Sequence, residues 1–221
     1  MRNALCLTAA AVIFFAALAA CTKEKAPGSL GPEEAALVRT LGFDESLALE
    51  LRKAGNGPLS QLTGTNEEFE PFNAQGLTVS IEEKKAVKVL VKLREIAGPA
   101  GYMVFIVERN FSYGPDRLAV IKGSDQFEIL RIKATNGINY DIENDEVIAR
   151  LQKWNSSYPF DIIAADFDFV EAIFVKQPAD MDAFAREVYE FCPDVVEQGV
   201  GTVKALADEM RRSGTLYLWW D

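Results

Sequence analysis

Residues 76–107, GLTVSIEEKKAVKVLVKLREIAGPAGYMVFIV, decide the fold class because their hydrophobic period changes twice. Residues 77–81 alternate apolar and polar side chains, as a strand does. Residues 82–97 then carry apolar residues at helical spacing, and Gly98-Pro99 ends the predicted helix. Residues 102–107 form a continuous apolar run, which predicts a buried strand. This part of the chain is therefore strand, helix, strand.

Elements of the same kinds are predicted towards both ends of the chain, with a loop over residues 55–75. The predicted helices cover 33–41, 44–54, 125–134, 145–154, 180–191 and 202–212, and the other predicted strands cover 117–121, 139–142, 160–165, 169–175 and 216–220. This order indicates an α+β fold, with a mainly antiparallel sheet and helices packed on it. The similarity of residues 76–82 to residues 137–143 is also compatible with tandem ferredoxin-like βαββαβ units.

The N-terminus has the layout of a secretory signal. Arg2 is its only charged residue, and an apolar run over residues 4–20 ends in Leu18-Ala19-Ala20-Cys21. This tetrad resembles the lipobox of bacterial lipoproteins. The resemblance implies cleavage after Ala20 and attachment of fatty acyl chains, such as palmitate, to Cys21. An uncleaved anchor helix is the alternative, and both interpretations place the protein on a membrane.

The predicted organisation follows from this N-terminus. Residues 1–20 are the signal peptide, 21–32 a flexible tether, 33–75 a helical and loop N-terminal segment, and 76–221 an α+β domain. We expect the mature protein in the cell envelope, with the membrane as a partner through the lipid on Cys21. Thr22 resembles the outer-membrane address of Gram-negative lipoproteins, so that membrane is expected if the host is Gram-negative.

The composition argues against several classes of function. The chain has a formal net charge of −10 and contains no histidine. Without histidine, His-based acid–base relays, the common nucleophile triads and most zinc sites are excluded. An acidic chain also lacks the basic patch that binds nucleic acid. We therefore expect no cofactor, no metal and no identifiable catalytic residue.

A series of segments stands out in the second half of the chain: Asp125–Arg131, Gly137–Asp141, Val147–Leu151 with Trp154, Phe191–Gly199, Gly201–Val203 and Leu216–Asp221. Through these segments the chain, from about residue 102 to the end, resembles the bacterial family called domain of unknown function 4253 (DUF4253). Members of this family usually look like cytoplasmic proteins, whereas this chain begins with a lipoprotein signal. The family name implies no activity, so the resemblance bounds a domain and leaves its function open.

Polar and aromatic residues in these segments are the candidate ligand or partner contacts. They are Arg131, Asn139, Asp141, Asp194, Glu197, Gln198 and Trp220. Each also has a structural interpretation. Arg131 and Asp141 are expected to form a buried pair, the acids at 194 and 197 to cap the helix at Thr202, and one of the two terminal indoles to enter the core.

Two further features have both a chemical and a structural interpretation. Cys192 is either a nucleophile or a buried, inert thiol, and the second is favoured because Asp194 opposes thiolate formation. Asp166 and Asp168 are either paired carboxylates or ordinary residues of a hairpin turn.

Three functions remain open on this basis. The leading hypothesis is a membrane-anchored envelope lipoprotein whose domain binds an unknown ligand or a protein partner. One alternative is a hydrolase in which the acids near 166–168 and 194–197 converge around a divalent cation. The other is an immunity-type inhibitor that places its acidic surface against a basic toxin.

Overall fold

A computed structural model describes residues 29–66 and 68–221 of the chain. Within them, the helices are α1 (Pro32–Leu41), α2 (Glu45–Ala54), α3 (Glu83–Ala97), α4 (Glu128–Lys133), α5 (Asn144–Ser157), α6 (Met181–Phe191) and α7 (Val203–Ser213). The strands are β1 (Ser60–Thr65), β2 (Pro71–Ile81), β3 (Tyr102–Glu108), β4 (Asp116–Lys122), β5 (Phe160–Ala165), β6 (Phe169–Phe174) and β7 (Thr215–Trp219). The predicted signal peptide and Cys21 lie outside the described residues.

All seven strands form one sheet in the order β1-β2-β4-β3-β5-β6-β7. Every neighbouring pair is antiparallel except β3 and β5, which are parallel. Helices pack on both faces of this sheet, with α1–α3 in one hydrophobic cluster and α4–α7 in the other. The predicted α+β class is confirmed.

The continuous apolar run of β3 follows from its position between these two layers. Val104 and Ile106 belong to the cluster on the α1–α3 side, whereas Phe105 and Val107 belong to the cluster on the α4–α7 side. Successive side chains of a strand point to opposite faces, so a strand covered on both faces must be apolar at every position.

The parallel pair of β3 and β5 is a seam between two halves of the sheet. Backbone pairing across it is limited to Ile106 and Ala164. Two side chains supply hydrogen bonds there. Arg94 of α3 donates to the carbonyl oxygens of Val104 and Ile162, and the Gln126 side chain accepts from the amide of Ile162 at 2.7 Å.

The predicted strand at 139–142 is wrong. Residues 138–140 instead form a 3₁₀ turn, and Gly137 and Ile142 close the segment on itself through two backbone hydrogen bonds. Asp141 has φ 55°, in the left-handed region that no strand uses. The second proposed βαββαβ unit therefore lacks its first strand, and the tandem ferredoxin-like arrangement does not form.

The predicted loop over 55–75 is also wrong, because it holds β1 and the first half of β2. β1 is an edge strand with the sequence SQLTGT, and only two of its six residues are buried. Its polar composition and Gly64 resemble a loop. The predicted division at residue 76 falls inside β2.

Among the described residues, no helix combines the length and the apolar character needed to cross a bilayer.

Candidate functional site

The seam between β3 and β5 opens into a crevice where these two strands end. Because the strands are parallel, their carboxyl ends lie at the same end of the sheet. The chain leaves β3 towards β4 on one side and leaves β5 towards β6 on the other. Such a divergence leaves a crevice, and the corresponding position in open α/β sheets of parallel strands is where ligands bind.

A cavity of about 470 Å³ lies at this position. It is lined by Arg109, Phe111, Asp166, Phe167, Asp168, Phe169, Tyr217 and Trp219. The lining residues come from the β3–β4 connection, the β5–β6 turn and the last strand. Five of the eight are aromatic, and two are carboxylates.

One wall of the crevice is the loop of residues 109–115. Phe111 and Ser112 are consecutive non-glycine residues with φ of 43° and 74°. Positive φ is unfavourable for residues with a side chain, so the backbone of the loop is strained here. Ser112 is fixed from α3, because its backbone amide donates to Glu83 at 2.9 Å. Phe111 is left 57% exposed beside the cavity. The backbone is thus strained at the point where it presents an aromatic ring to the crevice.

Arg109 anchors the base of that loop. Its guanidinium pairs with fully buried Asp116 at 3.2 Å and with Glu171 of β6 at 2.5 Å. Asp116 also accepts a hydrogen bond from the amide of Asn110 at 3.0 Å. Two carboxylates therefore already neutralise the one basic side chain of the crevice lining.

The two acids of the β5–β6 turn have different environments. Asp166 forms an ion pair with Lys133 at 2.8 Å. Within the part of the chain that the structure describes, Asp168 accepts a hydrogen bond only from its own backbone amide. Its pKa is raised above the ordinary value, first by burial and then by the negative charges of Asp166 and Asp221.

The opposite wall of the crevice is the face of β6 and β7 that the α4–α7 layer does not cover. The rings of Phe169 and Tyr217 stack there with centroids 6.1 Å apart. Burial, followed by the charges of Asp168 and Glu171, raises the pKa of Tyr217 to about 12, so its hydroxyl stays protonated. Trp219 lies beside them and is half-buried.

The candidate residues near 131–141 lie away from this crevice. Arg131 is exposed and pairs with Asp125 at 3.0 Å and Glu128 at 3.1 Å. The expected buried pair of Arg131 with Asp141 is therefore wrong. Asn139 and Asp141 are exposed on the closed turn of residues 137–142.

The candidates near 194–198 form a structural cluster. Asp194 is buried and accepts hydrogen bonds from the Tyr140 hydroxyl at 2.6 Å, the Gln198 side chain at 2.9 Å and the amide of Asp221 at 2.9 Å. Burial alone would raise the pKa of Asp194, but these hydrogen bonds hold it below its ordinary value. Glu197 accepts from the Tyr189 hydroxyl at 2.9 Å.

The expected capping of α7 by these acids is wrong. The cap of that helix is Thr202, whose hydroxyl accepts from the amide of Ala205 at 3.1 Å. Asp194 instead fixes the end of the chain to the 137–142 turn.

Trp220 and Cys192 both belong to the core. The Trp220 indole is buried and donates to the carbonyl of Phe191 at 3.4 Å. Trp219 lies on the opposite face of β7, on the side of the α1–α3 cluster, so one of the two terminal indoles enters the α4–α7 core, as predicted. The Cys192 thiol donates to the carbonyl of Trp219 at 3.0 Å. Burial raises the pKa of Cys192 to about 12, which favours the inert interpretation over the nucleophile.

The acids that the hydrolase hypothesis needs are not gathered in the crevice, because neither Asp194 nor Glu197 lines it. Across residues 29–66 and 68–221, no three His, Cys, Asp or Glu side chains are grouped in a way that could hold a metal ion.

Residues 117–221 match the family model described as domain of unknown function (DUF4253). The DUF4253 segment starts at the second residue of β4 and continues through β7. This confirms the predicted resemblance for the C-terminal half. Comparison with curated proteins and with solved structures gave no significant match.

The sequence segments that suggested DUF4253 are largely in contact with one another. A Cβ on Gly137 would lie 2.8 Å from the Trp220 ring, Asp194 binds Tyr140, and Cys192 binds Trp219. These motifs therefore stabilise the attachment of β7. They contribute to the fold of the matched segment.

Sequence reasoning recognised only part of the crevice. Asp166 and Asp168 were considered for chemistry, but Arg109, Phe111 and Tyr217 were not. Arg109 and Phe111 precede the DUF4253 segment, and Arg109 reaches Glu171 of that segment across the β3–β5 seam. A signal was present in residues 108–116, where charged, aromatic and turn-forming residues follow a buried strand.

Proposed function

We propose that this protein is a lipid-anchored lipoprotein of the bacterial cell envelope whose folded domain binds a ligand in the crevice between β3 and β5. The observation that carries the binding function is the position of the cavity. It lies where two parallel strands end and their connections diverge, and five aromatic side chains line it.

The membrane anchor is supported by the signal layout and the lipobox-like tetrad that ends at Cys21. About ten residues separate Cys21 from the start of α1 at Pro32. They include lysine, glycine, proline and serine, a composition typical of a tether. With two or three acyl chains, each buried methylene contributes about 0.8 kcal/mol, and release from the bilayer is rare.

Fractionation of cells that express the full chain tests the anchor. We expect the wild-type protein in the membrane fraction, with an acylated N-terminal peptide that begins at Cys21 in mass spectra. Cys21→Ser should retain the signal peptide and lose the acyl mass, and Cys192→Ser is the matched control that should behave as wild type. An unmodified Cys21 in the mature protein would contradict the proposal.

The binding function is tested through Trp219, which lines the crevice, whereas Trp154 and Trp220 are buried. A bound ligand should change the tryptophan emission and raise the melting temperature, and Trp219→Phe should remove most of the emission change. A ligand whose emission change survives Trp219→Phe binds elsewhere, and that result would contradict the assignment of the crevice.

An inhibitor of a basic toxin remains the alternative that the acidic composition favours, with a net charge of −10. It predicts a salt-sensitive complex with a basic protein through an exposed acidic surface. Binding that disappears at high salt and is indifferent to Trp219→Phe would favour this alternative.

A further inference from the structure

The charges around the crevice are unbalanced. Among the described residues, Asp166 and Asp168 line the cavity, Asp116 and Glu171 pair with the lining residue Arg109, and the charge of Asp221 acts on Asp168. Against these five carboxylates stand the two basic side chains of Arg109 and Lys133. Arg109 is shared by two acids, and Lys133 is paired with Asp166. Asp168 alone lines the cavity without a basic partner.

An anion would be repelled from this arrangement. The only basic residue in the lining, Arg109, is 12% exposed and already contacts two carboxylates. An anion that approached it would also approach Asp168. A positively charged group, in contrast, would give Asp168 the partner that it lacks, in a partly desolvated position where charge pairing is stronger than in water.

The remaining lining favours an organic cation over a metal ion. Phe111, Phe167, Phe169, Tyr217 and Trp219 line the cavity together with Asp168. Aromatic faces attract cations, and rings around an alkylated ammonium are a common means of recognising it. A metal ion such as calcium requires about six to eight oxygen ligands. The described residues provide no group of even three metal-type side chains.

The size of the cavity agrees with a small ligand. Its volume of about 470 Å³ falls within the range of about 300–1,000 Å³ that is typical of small-molecule sites. Part of the lining is open to solvent, because Phe111 and Phe167 are 57% and 50% exposed. A ligand can therefore enter from the end of the sheet without displacing the core.

We propose that the crevice binds a small organic cation with an alkylated ammonium group, with Asp168 as its counter-ion and the surrounding aromatic rings as its walls. This inference rests on the proposed binding function and names its class of ligand. The alkyl groups replace water around the charge, so that the rings contact them at a low desolvation cost.

The test is isothermal titration calorimetry of the full chain in detergent. The two probes are choline and its uncharged carbon analogue 3,3-dimethylbutan-1-ol (dimethylbutanol), which has a similar shape. We expect choline to bind at least tenfold more tightly than dimethylbutanol. Asp168→Asn should weaken choline binding at least tenfold, and Phe167→Leu should weaken it severalfold. Asp161→Asn, an exposed acid at the start of β5, is the matched control and should leave the affinity unchanged.

Equal affinity for choline and dimethylbutanol, or an unchanged affinity in Asp168→Asn, would overturn the inference. The same titrations, followed also by tryptophan emission, include acetate and a lysine-rich peptide as further probes. If acetate changes the emission of Trp219 and choline does not bind, the crevice is a binding site and only the ligand class is wrong. If only the peptide binds, the partner is a basic protein, and the inference is also overturned.

Discussion

Among single residues, Asp168 has the environment expected of a functional group and not of a structural one. Its carboxylate lies half-buried beside two other acids and receives no hydrogen bond from another residue of 29–66 or 68–221. Asp194, in contrast, is buried with three donors. An unpaired charge in a crevice lowers the stability of the fold. Proteins commonly keep such a destabilising residue where it takes part in function.

Asp168→Asn should therefore stabilise the fold at neutral pH. The folded-state pKa of Asp168 is raised, so the folded protein binds its proton more tightly than the unfolded chain does. The cost of the charge is absent below the unfolded pKa near 3.8 and is fully present above the raised pKa. We expect a gain of about 0.5–1 kcal/mol at pH 7 by urea denaturation, the usual size of such a charge correction.

The pH dependence of that gain is its control. At pH 3 the carboxyl is neutral in both states, and Asp168→Asn should match the wild type. A variant that is less stable than the wild type at pH 7 would show that Asp168 has a structural role, and would also remove a premise of the cation site.

Gly137 shows how a motif can serve packing alone. Its φ of −122° is open to any residue, so backbone freedom does not explain the glycine. The reason is the Trp220 ring, which a Cβ would approach to 2.8 Å. We expect Gly137→Ala to lower the free energy of unfolding by about 1–3 kcal/mol, as overpacking of a core does.

Gly57→Ala is the matched control, because a Cβ at Gly57 meets nothing within 4 Å. It should change the denaturation midpoint little. If both variants behaved alike, the contact between Gly137 and Trp220 would not be what holds β7 in place.

At the scale of elements, the sheet is two antiparallel groups of strands joined at the parallel seam. Ile106 and Ala164 are its backbone pair, and Arg94 donates to a carbonyl on each side. Arg94→Met keeps an unbranched apolar stem and removes both donors. We expect a loss of about 3 kcal/mol, since hydrogen bonds from charged donors contribute about 1.5–3 kcal/mol each.

Hydrogen exchange locates that effect. Arg94→Met should increase amide exchange in β5 more than in β1, whereas Lys92→Met, an exposed site on the same helix, should change neither. Uniform acceleration over the whole sheet would mean that the residue stabilises α3 and not the seam. Because the crevice lies at the end of this seam, weaker ligand binding should accompany the local change.

The strands and helices that could be predicted from sequence were those whose burial gave them a clear period. Residues 104–107 of β3 are all apolar because both faces of the strand are covered, and α6 has a regular buried stripe. β1 was missed because an edge strand needs few apolar residues. Residues 139–142 alternate as a strand would, yet Ile138 and Tyr140 are exposed and the turn closes through Gly137 and Ile142.

The crevice could not be predicted in the same way. Arg109 and Tyr217 are far apart in sequence and meet only because β3 and β5 are neighbours. No periodicity reports the order of strands in a sheet. The lipobox-like tetrad is the opposite case, because a short local pattern carries the whole prediction for Cys21.

For the whole molecule, the DUF4253 match begins in the middle of the sheet. β4 pairs with β2 on one side and β3 on the other, and both lie before residue 117. The apolar face of β4 that includes Leu118 and Val120 is covered by the α1–α3 layer, which also precedes the match. The family segment is thus a part of the fold, and the elements before it complete the same core.

A fragment of residues 117–221 should consequently fail to fold alone, whereas residues 29–221 should unfold cooperatively. In the fragment, β4 would have both edges unpaired and one apolar face exposed, which are the conditions for aggregation. Near-UV circular dichroism and a thermal melt should show fixed aromatic packing and one transition only for the longer chain. A cooperative melt of the fragment would instead mean that β5–β7 and α4–α7 form an independent unit, to which the first half only adds a wall of the crevice.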